Sequence, residues 1–448
     1  MQTSRRANKP NSFKSNRFSN NNQKSSTAGQ SGQRSYKKFN TSPKSTNDSY
    51  GYSSSANQGG YRHNHGDRRT NQGRSRRFSE NIDISKFIQR TPIRDIKTKY
   101  SAKNSFEDFD FSKTLKSNLE KKQYTIPTPI QDQSIKYIME GRDLIGLANT
   151  GTGKTAAFLL PMIEKVYRNH FEKVLIIAPT RELALQIDNE LKSFSNGMRI
   201  YSAACVGGAP IGKQIYNLKR NPNFVIGTPG RLKDLSERRL ISFEKFQNII
   251  LDEVDRMLDM GFVDEITTIL NQLPRGRQCL FFSATMPTKI RILVKQFLND
   301  PVTVEVKSGN TAENIMQDIV KIHSSDDKFI KLQELLVAPD MTKVLIFSET
   351  KHEVEKLAVN LSKNGLNAES IHGDKRQSQR QRSLSAFRND EVKILVATDV
   401  AARGLDIDDI SHVINYTVPQ TYDDYIHRIG RTGRGDKKGM ALTFVESR

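Results

Sequence analysis

The sequence has few cysteines, no long apolar run and no apolar stretch at its N-terminus. Cys205 and Cys279 are the only cysteines among 448 residues, and they form no CxxC pair. A zinc ribbon or a disulfide framework is therefore not expected, and a reducing compartment fits. No run of about 18 apolar residues is present, which argues against a membrane-spanning helix. The N-terminus also lacks the apolar core of a secretory signal. We therefore expect a cytoplasmic protein.

Aliphatic side chains are missing from the beginning of the chain, because no Ile, Leu or Val precedes Ile82. Residues 1–80 carry 16 Lys/Arg and 3 Asp/Glu, which is +13 of the total net charge of +21. Such a segment cannot bury enough apolar surface to offset its ordering entropy, so it is predicted to be a disordered basic arm. Its arginines lie among aromatic residues, which suits single-stranded nucleic acid because cations meet phosphates and rings stack on bases. A solubilising tail without a specific partner is the alternative.

The rest of the chain alternates short apolar runs with amphipathic helical stretches. Runs such as Val174–Ile177 and Val344–Phe347 are apolar throughout. Continuous apolar strands separated by helices indicate a parallel sheet that is covered on both faces. Two series of such strands occur, so two doubly wound α/β domains are predicted. The predicted division is a disordered arm (1–80), a connecting or docking segment (81–102), a first domain (103–306), a flexible polar linker (307–314) and a second domain (315–448).

A glycine-rich stretch, Ala-Asn-Thr-Gly-Thr-Gly-Lys-Thr, follows the apolar run Leu144–Leu147. Its glycines allow backbone N–H groups to face phosphate, Lys154 supplies a charge for the β- and γ-phosphates, and Thr155 supplies a hydroxyl ligand for Mg²⁺. The start of the following helix favours the same anion. A strict pattern has Gly in place of Ala148, which leaves an ordinary strand-to-helix turn as the alternative. The candidate nucleotide contacts are Ala148, Asn149, Thr150, Gly151, Thr152, Gly153, Lys154 and Thr155.

Two carboxylates, Asp252 and Glu253, follow the apolar run Ile249–Leu251. They therefore project from the carboxyl end of a strand, where α/β sheets bind ligands. Asp252 is placed to hold Mg²⁺, and Glu253 to orient or deprotonate an attacking water. A solvated acidic turn is the alternative. Asp255 is expected to link this strand end to the neighbouring motifs.

These motifs, in this order, resemble those of the DEAD-box ATP-dependent RNA helicases of superfamily 2. The resemblance runs from about Phe106 to Val445 and implies two tandem RecA-like domains. One departure is Val254, which stands in the Asp-Glu-Val-Asp motif where the family has Ala, and both carboxylates remain. The further matching segments are 124–131, 179–184, 207–208, 228–231, 283–285, 377–380, 397–406 and 427–434.

The resemblance assigns the remaining nucleotide contacts. Gln131 would read the adenine edge, with Phe106 as an aromatic face for the base and Tyr124 nearby, although core packing is the alternative for either ring. Asp406 would contact the ribose. Arg431 and Arg434 would stabilise charge on the γ-phosphate, the role of an arginine finger. The resemblance makes His427 and Arg428 supports of the domain interface, and a basic surface turn is the alternative for Arg428, Arg431 and Arg434.

The resemblance also assigns RNA contacts, which would be made to the sugar–phosphate backbone. Such contacts carry little sequence information, so low sequence specificity is expected, and contact with 2′-hydroxyls would favour RNA over DNA. Salt-bridge roles are the alternative for Arg181 and Arg231. Ser283 and Thr285 would couple the nucleotide and RNA sites. The RNA contacts implied are Pro179, Thr180, Arg181, Gly207, Gly208, Thr228 and Arg231 in the first domain, and Thr350, Gln377, Arg380 and Thr398 in the second.

The function implied is that of an ATP-dependent RNA helicase. RNA-stimulated, Mg²⁺-dependent ATP hydrolysis would drive local, non-processive unwinding of short duplexes or remodelling of RNA–protein complexes. A monomer without membrane contact is expected, with ribosomal particles or RNA-turnover proteins as further candidate partners. An ATP-gated RNA scaffold, or a condensate component driven by the arm, is the alternative. A processive translocase is disfavoured.

Overall fold

The computed structural model of the chain describes residues 84–89, 100–149, 151–306, 315–402, 407, 409–433 and 438–447. The predicted arm (1–80) and linker (307–314) lie outside these residues, as do Thr150, Asp406 and Arg434. Among the described residues, no helix has both the length and the apolar composition needed to span a bilayer.

The first domain alternates strands with helices. Its strands are β1 (Leu144–Leu147), β2 (Val174–Ile177), β3 (Ser202–Cys205), β4 (Phe224–Gly227), β5 (Asn248–Leu251), β6 (Gln278–Ser283) and β7 (Val302–Glu305). Its helices are α1 (Lys113–Lys121), α2 (Pro129–Met139), α3 (Lys154–Arg168), α4 (Arg181–Phe194), α5 (Ile211–Lys219), α6 (Pro229–Glu237), α7 (Val254–Asp259), α8 (Val263–Asn271) and α9 (Thr288–Phe297), with a 3₁₀ turn at Phe243–Lys245.

The described strands of the first domain form one parallel sheet in the order β3-β4-β2-β5-β6-β1-β7. Successive residues of a strand point to opposite faces, and both faces of this sheet are apolar. Ile176 of β2 packs into a core with α1 to α4, whereas the next residue, Ile177, packs into a second core with α6 to α9. The carboxyl ends of β1, β2, β4, β5 and β6 therefore share one edge of the sheet.

The second domain repeats this architecture. Its strands are β8 (Ile315–Ile322), β9 (Val344–Phe347), β10 (Ala368–Ile371), β11 (Ile394–Ala397), β12 (His412–Asn415) and β13 (Gly439–Glu446). Its helices are α10 (Ser325–Leu336), α11 (Lys351–Lys363), α12 (Gln377–Arg388), α13 (Asp399–Ala402) and α14 (Tyr422–Ile429). The described strands form a parallel sheet in the order β10-β11-β9-β12-β13-β8. The prediction of two parallel-sheet α/β domains is confirmed.

A short segment before the first domain lies on the second. Residues Ile84–Phe87 form a 3₁₀ turn, and Gln89 forms an isolated antiparallel bridge with Gln317 of β8. Residues Tyr100 to Asn104 instead pack against the first domain. The carboxylate of Asp132 in α2 accepts hydrogen bonds from the Tyr100 hydroxyl at 2.5 Å and from the backbone N–H of Lys103 at 2.8 Å. The predicted segment 81–102 is thus described at its two ends, which contact different domains.

Candidate nucleotide and RNA site

The glycine-rich turn connects β1 to α3 at the carboxyl edge of the first sheet. Gly151 and Gly153 have φ values of 81° and 90°, a region that glycine enters without strain. Lys154 begins α3 and is 6% exposed, and its Nζ donates to the carbonyl oxygen of Ala148 at 2.7 Å. Thr152 donates to the carbonyl of Asn149 at 2.8 Å. The amine of Lys154 therefore lies inside the turn, where a phosphate would replace a carbonyl as its partner.

The start of α2 is fastened to the start of α3 through one amide. The backbone N–H of Thr128 donates to Oε1 of Gln131 at 2.9 Å, and Nε2 of Gln131 donates to the carbonyl of Gly153 at 3.1 Å. A Cβ atom at Gly153 would lie 2.5 Å from that Nε2. Glycine is thus needed here for the close approach of Gln131 as well as for its backbone angle. The reading of adenine by Gln131 stays a prediction.

The two aromatic candidates pack in the first core. Phe106 is 4% exposed and its ring centroid lies 6.1 Å from that of Tyr124. Tyr124 in turn meets Phe194 edge-on at 5.4 Å. In this structure both rings therefore pack in the core, which was the alternative for each of them. A contact of either ring with the base stays a prediction.

The predicted metal ligand follows β5 at the same sheet edge. Asp252 is 2% exposed, and its Oδ1 is buried without a hydrogen-bond partner among the described residues. Burial raises the pKa of Asp252 to about 7, against the opposing charge of Lys154. A buried carboxylate oxygen with no partner is costly, and a cation would remove that cost.

The predicted water-activating residue has a strained backbone. Glu253 has a φ of 55°, a left-handed angle that is uncommon outside glycine and concentrates at functional sites. Its Oε2 accepts a hydrogen bond from Nη1 of Arg256 at 2.7 Å, and both side chains are buried. Arg256 lies three residues later on the same turn of α7, so it fixes the direction of the carboxylate.

Asp255 connects the acidic strand end to the turn after β6. Its carboxylate accepts hydrogen bonds from the backbone N–H groups of Ala284 and Thr285 at 3.0 and 2.9 Å, and from the Thr285 hydroxyl at 3.1 Å. Burial pushes the pKa of Asp255 upward, but the charges of Lys154 and Arg256 and these hydrogen bonds outweigh it and hold that pKa below its usual value. The backbone N–H of Asp255 donates to the Ser283 hydroxyl at 3.3 Å, so Ser283 and Thr285 are both joined to the acidic strand end.

The oxygen donors fit a magnesium ion that arrives with a nucleotide. Among the described residues, no group of three or more His, Cys, Asp or Glu is placed to hold a metal by itself. Mg²⁺ in nucleotide sites usually takes only one or two protein oxygens, and phosphate and water complete its octahedron. The orphaned oxygen of Asp252 and the hydroxyl of Thr155, the second residue of α3, are suitable donors.

In the second domain, α14 and the turn after it position Arg428 and Arg431. Arg428 is 3% exposed, so it does not belong to a basic surface turn. Its guanidinium donates to both carboxylate oxygens of Asp399 at 2.6 and 2.7 Å and to the carbonyl of Thr417 at 2.6 Å. Arg431 is also 3% exposed and lines a small cavity with His427 and Arg428. Contact of Arg431 with a γ-phosphate stays a prediction.

One contact between the domains was not predicted. Glu182, in the first turn of α4, forms an ion pair with Nη2 of Arg380 at 2.8 Å and accepts a hydrogen bond from Nε2 of Gln377 at 3.2 Å. All three side chains are buried. Arg380 and Gln377, which the resemblance assigns to RNA, thus hold the start of α12 against the first domain. Their contact with RNA stays a prediction.

Several predicted RNA contacts lie together at the carboxyl edge of the first sheet. The guanidinium of Arg181 lies against the Gly207–Gly208 turn, where a Cβ at Gly208 would come within 2.4 Å of Nη1. Arg231 forms an ion pair with Asp234 at 3.3 Å, which is the salt-bridge alternative for this residue. The threonines begin helices: Thr180 precedes α4, Thr228 precedes α6, Thr350 precedes α11 and Thr398 precedes α13.

Sequence reasoning missed Arg256, and it missed the contact of Glu182 with the second domain although Glu182 lies in the matching segment 179–184. The spacing of Glu253 and Arg256, three apart at the start of a helix, is a local signal that could have identified that pair. Glu182 had no such signal, since its partners lie 195 and 198 residues further along the chain.

Comparison with known families identifies both halves of the chain. Residues 128–293 match the model of the DEAD/DEAH box helicase family, and residues 327–436 match that of the helicase conserved C-terminal domain. The chain is 45% identical over 345 residues to the ATP-dependent RNA helicase CshA of Listeria monocytogenes, a match that covers 77% of this chain and 66% of that protein.

Two solved structures are similar to most of the chain. Dbp5 of S. cerevisiae bound to RNA and ADP BeF3 is 32% identical, and the match covers 77% of this chain and 90% of that one with a TM-score of 0.69. The DEAD-box helicase Mss116 bound to ssRNA and UDP-BeF is 31% identical, and the match covers 76% of this chain and 74% of that one with a TM-score of 0.70. With two RecA-like domains, a phosphate-binding turn and an acidic strand end, the chain belongs to the DEAD-box family of ATP-dependent RNA helicases.

Proposed function

We propose that this protein uses ATP to clamp RNA between its two domains, and that it unwinds short duplexes locally and non-processively or remodels RNA–protein complexes. The observation that carries the proposal is the shared sheet edge at which Lys154, Asp252 and Glu253 meet. The chain matches 66% of the length of CshA, so the activity of that whole protein comes to this chain as part of the proposal.

The nucleotide would be held by the first domain before the second one closes. Lys154 would transfer its hydrogen bond from the Ala148 carbonyl to phosphate oxygens. Thr155 and Asp252 would hold Mg²⁺, which when bound neutralises charge on the transferred phosphoryl group. Glu253, directed by Arg256, would orient the attacking water and accept its proton.

Closure would complete the site. The residues that bind phosphate lie in the first domain, whereas Arg431 and Arg434 are supplied by the second. Cations placed where charge develops stabilise the transition state of phosphoryl transfer. Hydrolysis would therefore be fast only in the closed form, and the contact of Glu182 with Arg380 supports such a form.

RNA is the proposed polyanionic partner. Arg181 beside the Gly207–Gly208 turn presents a cation and exposed backbone at one sheet edge, which suits a phosphate backbone more than base edges. Ribosomal particles or RNA-turnover proteins as further partners, a monomeric state and a cytoplasmic location stay predictions.

The test is ATP hydrolysis measured with single-stranded RNA, with DNA of the same sequence and with neither. We expect stimulation by RNA, and Glu253→Gln should lower turnover about 10²- to 10⁴-fold while nucleotide and RNA binding persist. Glu237→Gln, the same change on an exposed residue of α6, is the matched control. Equal stimulation by DNA would contradict the RNA assignment.

Two further outcomes separate the alternatives. Absence of hydrolysis under every condition would favour the ATP-gated scaffold. Sustained unwinding of a kilobase duplex would refute the non-processive mode.

A further inference from the structure

The segment that precedes the first domain in sequence covers the edge of the second sheet. We call residues 84–89 the docking segment. The backbone of Gln89 exchanges two hydrogen bonds with Gln317, at 2.8 and 2.9 Å. Gln317 belongs to β8, which is the outermost described strand on its side of the sheet. The docking segment therefore satisfies backbone groups at a sheet edge.

Phe87 inserts its ring beside this bridge. It is 1% exposed and lies in an apolar cluster with Ile315, Tyr425, Ile429 and Ala441. Its ring centroid is 4.6 Å from that of Tyr425, at an interplanar angle of 53°. This is the tilted arrangement that aromatic pairs prefer.

Polar contacts join the same elements. The Tyr425 hydroxyl donates to Oε1 of Gln317 at 2.9 Å, and Nε2 of Gln317 donates to Oε1 of Gln89 at 3.2 Å. One glutamine of β8 thus connects the docking segment to α14. Loss of the docking segment would therefore remove Phe87 from beside Tyr425 and Gln89 from beside Gln317.

α14 is the helix that leads to the predicted arginine fingers. Tyr425 and Ile429 face the docking segment, whereas Arg428 on the same helix binds Asp399. Arg431 follows two residues after the end of the helix. A shift of α14 toward a gap left by Phe87 would therefore move Arg431 relative to the first domain.

We propose that the docking segment is a positioning element that is attached to the second domain: it holds α14, and through α14 it holds Arg431. Only the role of Arg431 rests on the proposed function. The attachment itself does not depend on it.

Attachment is tested by disulfide formation in the full chain with Gln89→Cys and Gln317→Cys. Residues paired in this way have Cα atoms about 5.5 Å apart, within the range of roughly 4.4–6.8 Å that a disulfide spans. Cys205 and Cys279 do not compete, because burial raises the pKa of each thiol to about 12. Ile88→Cys with Gln317→Cys is the control, since Ile88 is 39% exposed.

We expect the Gln89→Cys/Gln317→Cys pair to cross-link faster than the control pair. Burial of a phenylalanine ring favours docking by a factor of about ten to a hundred, so Phe87→Ala should slow cross-linking by about that factor and Phe87→Leu by less. Equal rates for the two pairs, or a rate unaffected by Phe87→Ala, would overturn the attachment.

Positioning is tested by hydrogen exchange of α14 and by steady-state kinetics. With Phe87→Ala, the amides of α14 should exchange faster and RNA-stimulated kcat should fall about tenfold, in line with the lost docking. ATP affinity without RNA should persist, because Lys154 and Gln131 lie in the first domain. Phe87→Leu should restore most of kcat, and Ile88→Ala should change nothing.

The outcomes separate the two proposals. Unchanged α14 exchange and unchanged kcat in a protein whose cross-linking has slowed would overturn the positioning role. If RNA does not stimulate ATP hydrolysis by the wild-type protein, the proposed function is contradicted instead. In that case, cross-linking would still test the attachment of the docking segment, and hydrogen exchange would still test its support of α14.

Discussion

Replacement of Glu182 by Gln would test whether one ionic contact sets the balance between open and closed domains. The Glu182 carboxylate lies 2.8 Å from Nη2 of Arg380 and 3.2 Å from Nε2 of Gln377. Glutamine keeps the size of the side chain and one carbonyl acceptor but removes the charge. In the closed form, Glu182→Gln would therefore leave the buried Arg380 guanidinium without its counter-ion.

The expected shift in the open–closed equilibrium depends on how much hydration the Arg380 guanidinium regains when the domains separate. A buried charge that loses its partner costs ~3–5 kcal/mol when it cannot reach water. Burial already lowers the pKa of Arg380, against the charge of Glu182. Because separation of the domains would hydrate Arg380, the relevant loss is that of one charged contact, for which the scale is the ~1.5–3 kcal/mol of a hydrogen bond to a charged group. At 1.36 kcal/mol per factor of ten, this corresponds to a shift of about 10- to 150-fold toward the open form.

The assay is energy transfer between dyes on the two domains. Lys219→Cys in α5 and Lys363→Cys in α11 provide exposed attachment sites. With RNA and a non-hydrolysable ATP analogue, Glu182→Gln should lower the closed fraction, whereas Glu237→Gln should leave it unchanged. Arg380→Gln added to Glu182→Gln should cost little more, since residues that act as a pair are not additive.

An unchanged closed fraction in a folded Glu182→Gln protein would refute this reasoning. Thermal unfolding of each domain is the control, because the contact joins the domains and lies outside their two sheets. If Arg380→Gln lowers the closed fraction by the same factor with and without Glu182→Gln, the two effects are independent. That result would show that Glu182 acts through another partner.

Three further perturbations test separate parts of the structure. Gly153→Ala should raise the Kd for a fluorescent ATP analogue about tenfold or more, because the φ of 90° at Gly153 is left-handed and the added Cβ would meet Gln131. Gly276→Ala is the control, since a Cβ at Gly276 would have no heavy atom within 4 Å. Asp132→Asn should flatten the pH dependence of urea unfolding below about pH 4. Hydrogen bonds from Tyr100 and its neighbours outweigh burial and hold the pKa of Asp132 below its usual value, so the wild-type carboxylate stabilises the fold above its unfolded pKa and loses this effect as pH falls through the folded pKa. Deletion of residues 1–80 should weaken RNA binding and make its salt dependence shallower by about 0.7 per phosphate contacted, and an unchanged slope would show that the arm does not bind RNA.

The central strands could be predicted from the sequence and the edge strands could not. β1, β2 and β9 have the bounds of the apolar runs, because both faces of a central strand are covered by helices. The outermost described strands of the two sheets are β3, β7, β8 and β10, and the apolar runs do not indicate them. Edge strands carry polar side chains such as Thr303 and Glu369, so their sequences lack a continuous apolar run.

The nucleotide site could be predicted because its parts are local. A phosphate-binding turn needs glycines next to a lysine, and an acidic strand end needs carboxylates directly after an apolar run, so each motif carries its own signal in a few residues. The strain at Glu253 and the orphaned oxygen of Asp252 could not be predicted, since both depend on how the strand end is buried.

The docking segment shows where local signals end. The first aliphatic residues after the arm indicate that a short stretch can pack on something, and Phe87 is the largest side chain among residues 81–89. The residues near Phe87 in the sequence do not predict that it packs against Tyr425 and Ile315. The apolar surface that receives Phe87 forms only when β8, β13 and α14 have assembled. The docking of this segment on the second domain, and not on the first, depends on that assembly. The same dependence on distant neighbours explains why the contact of Glu182 with the second domain was missed while the role of Lys154 was predicted.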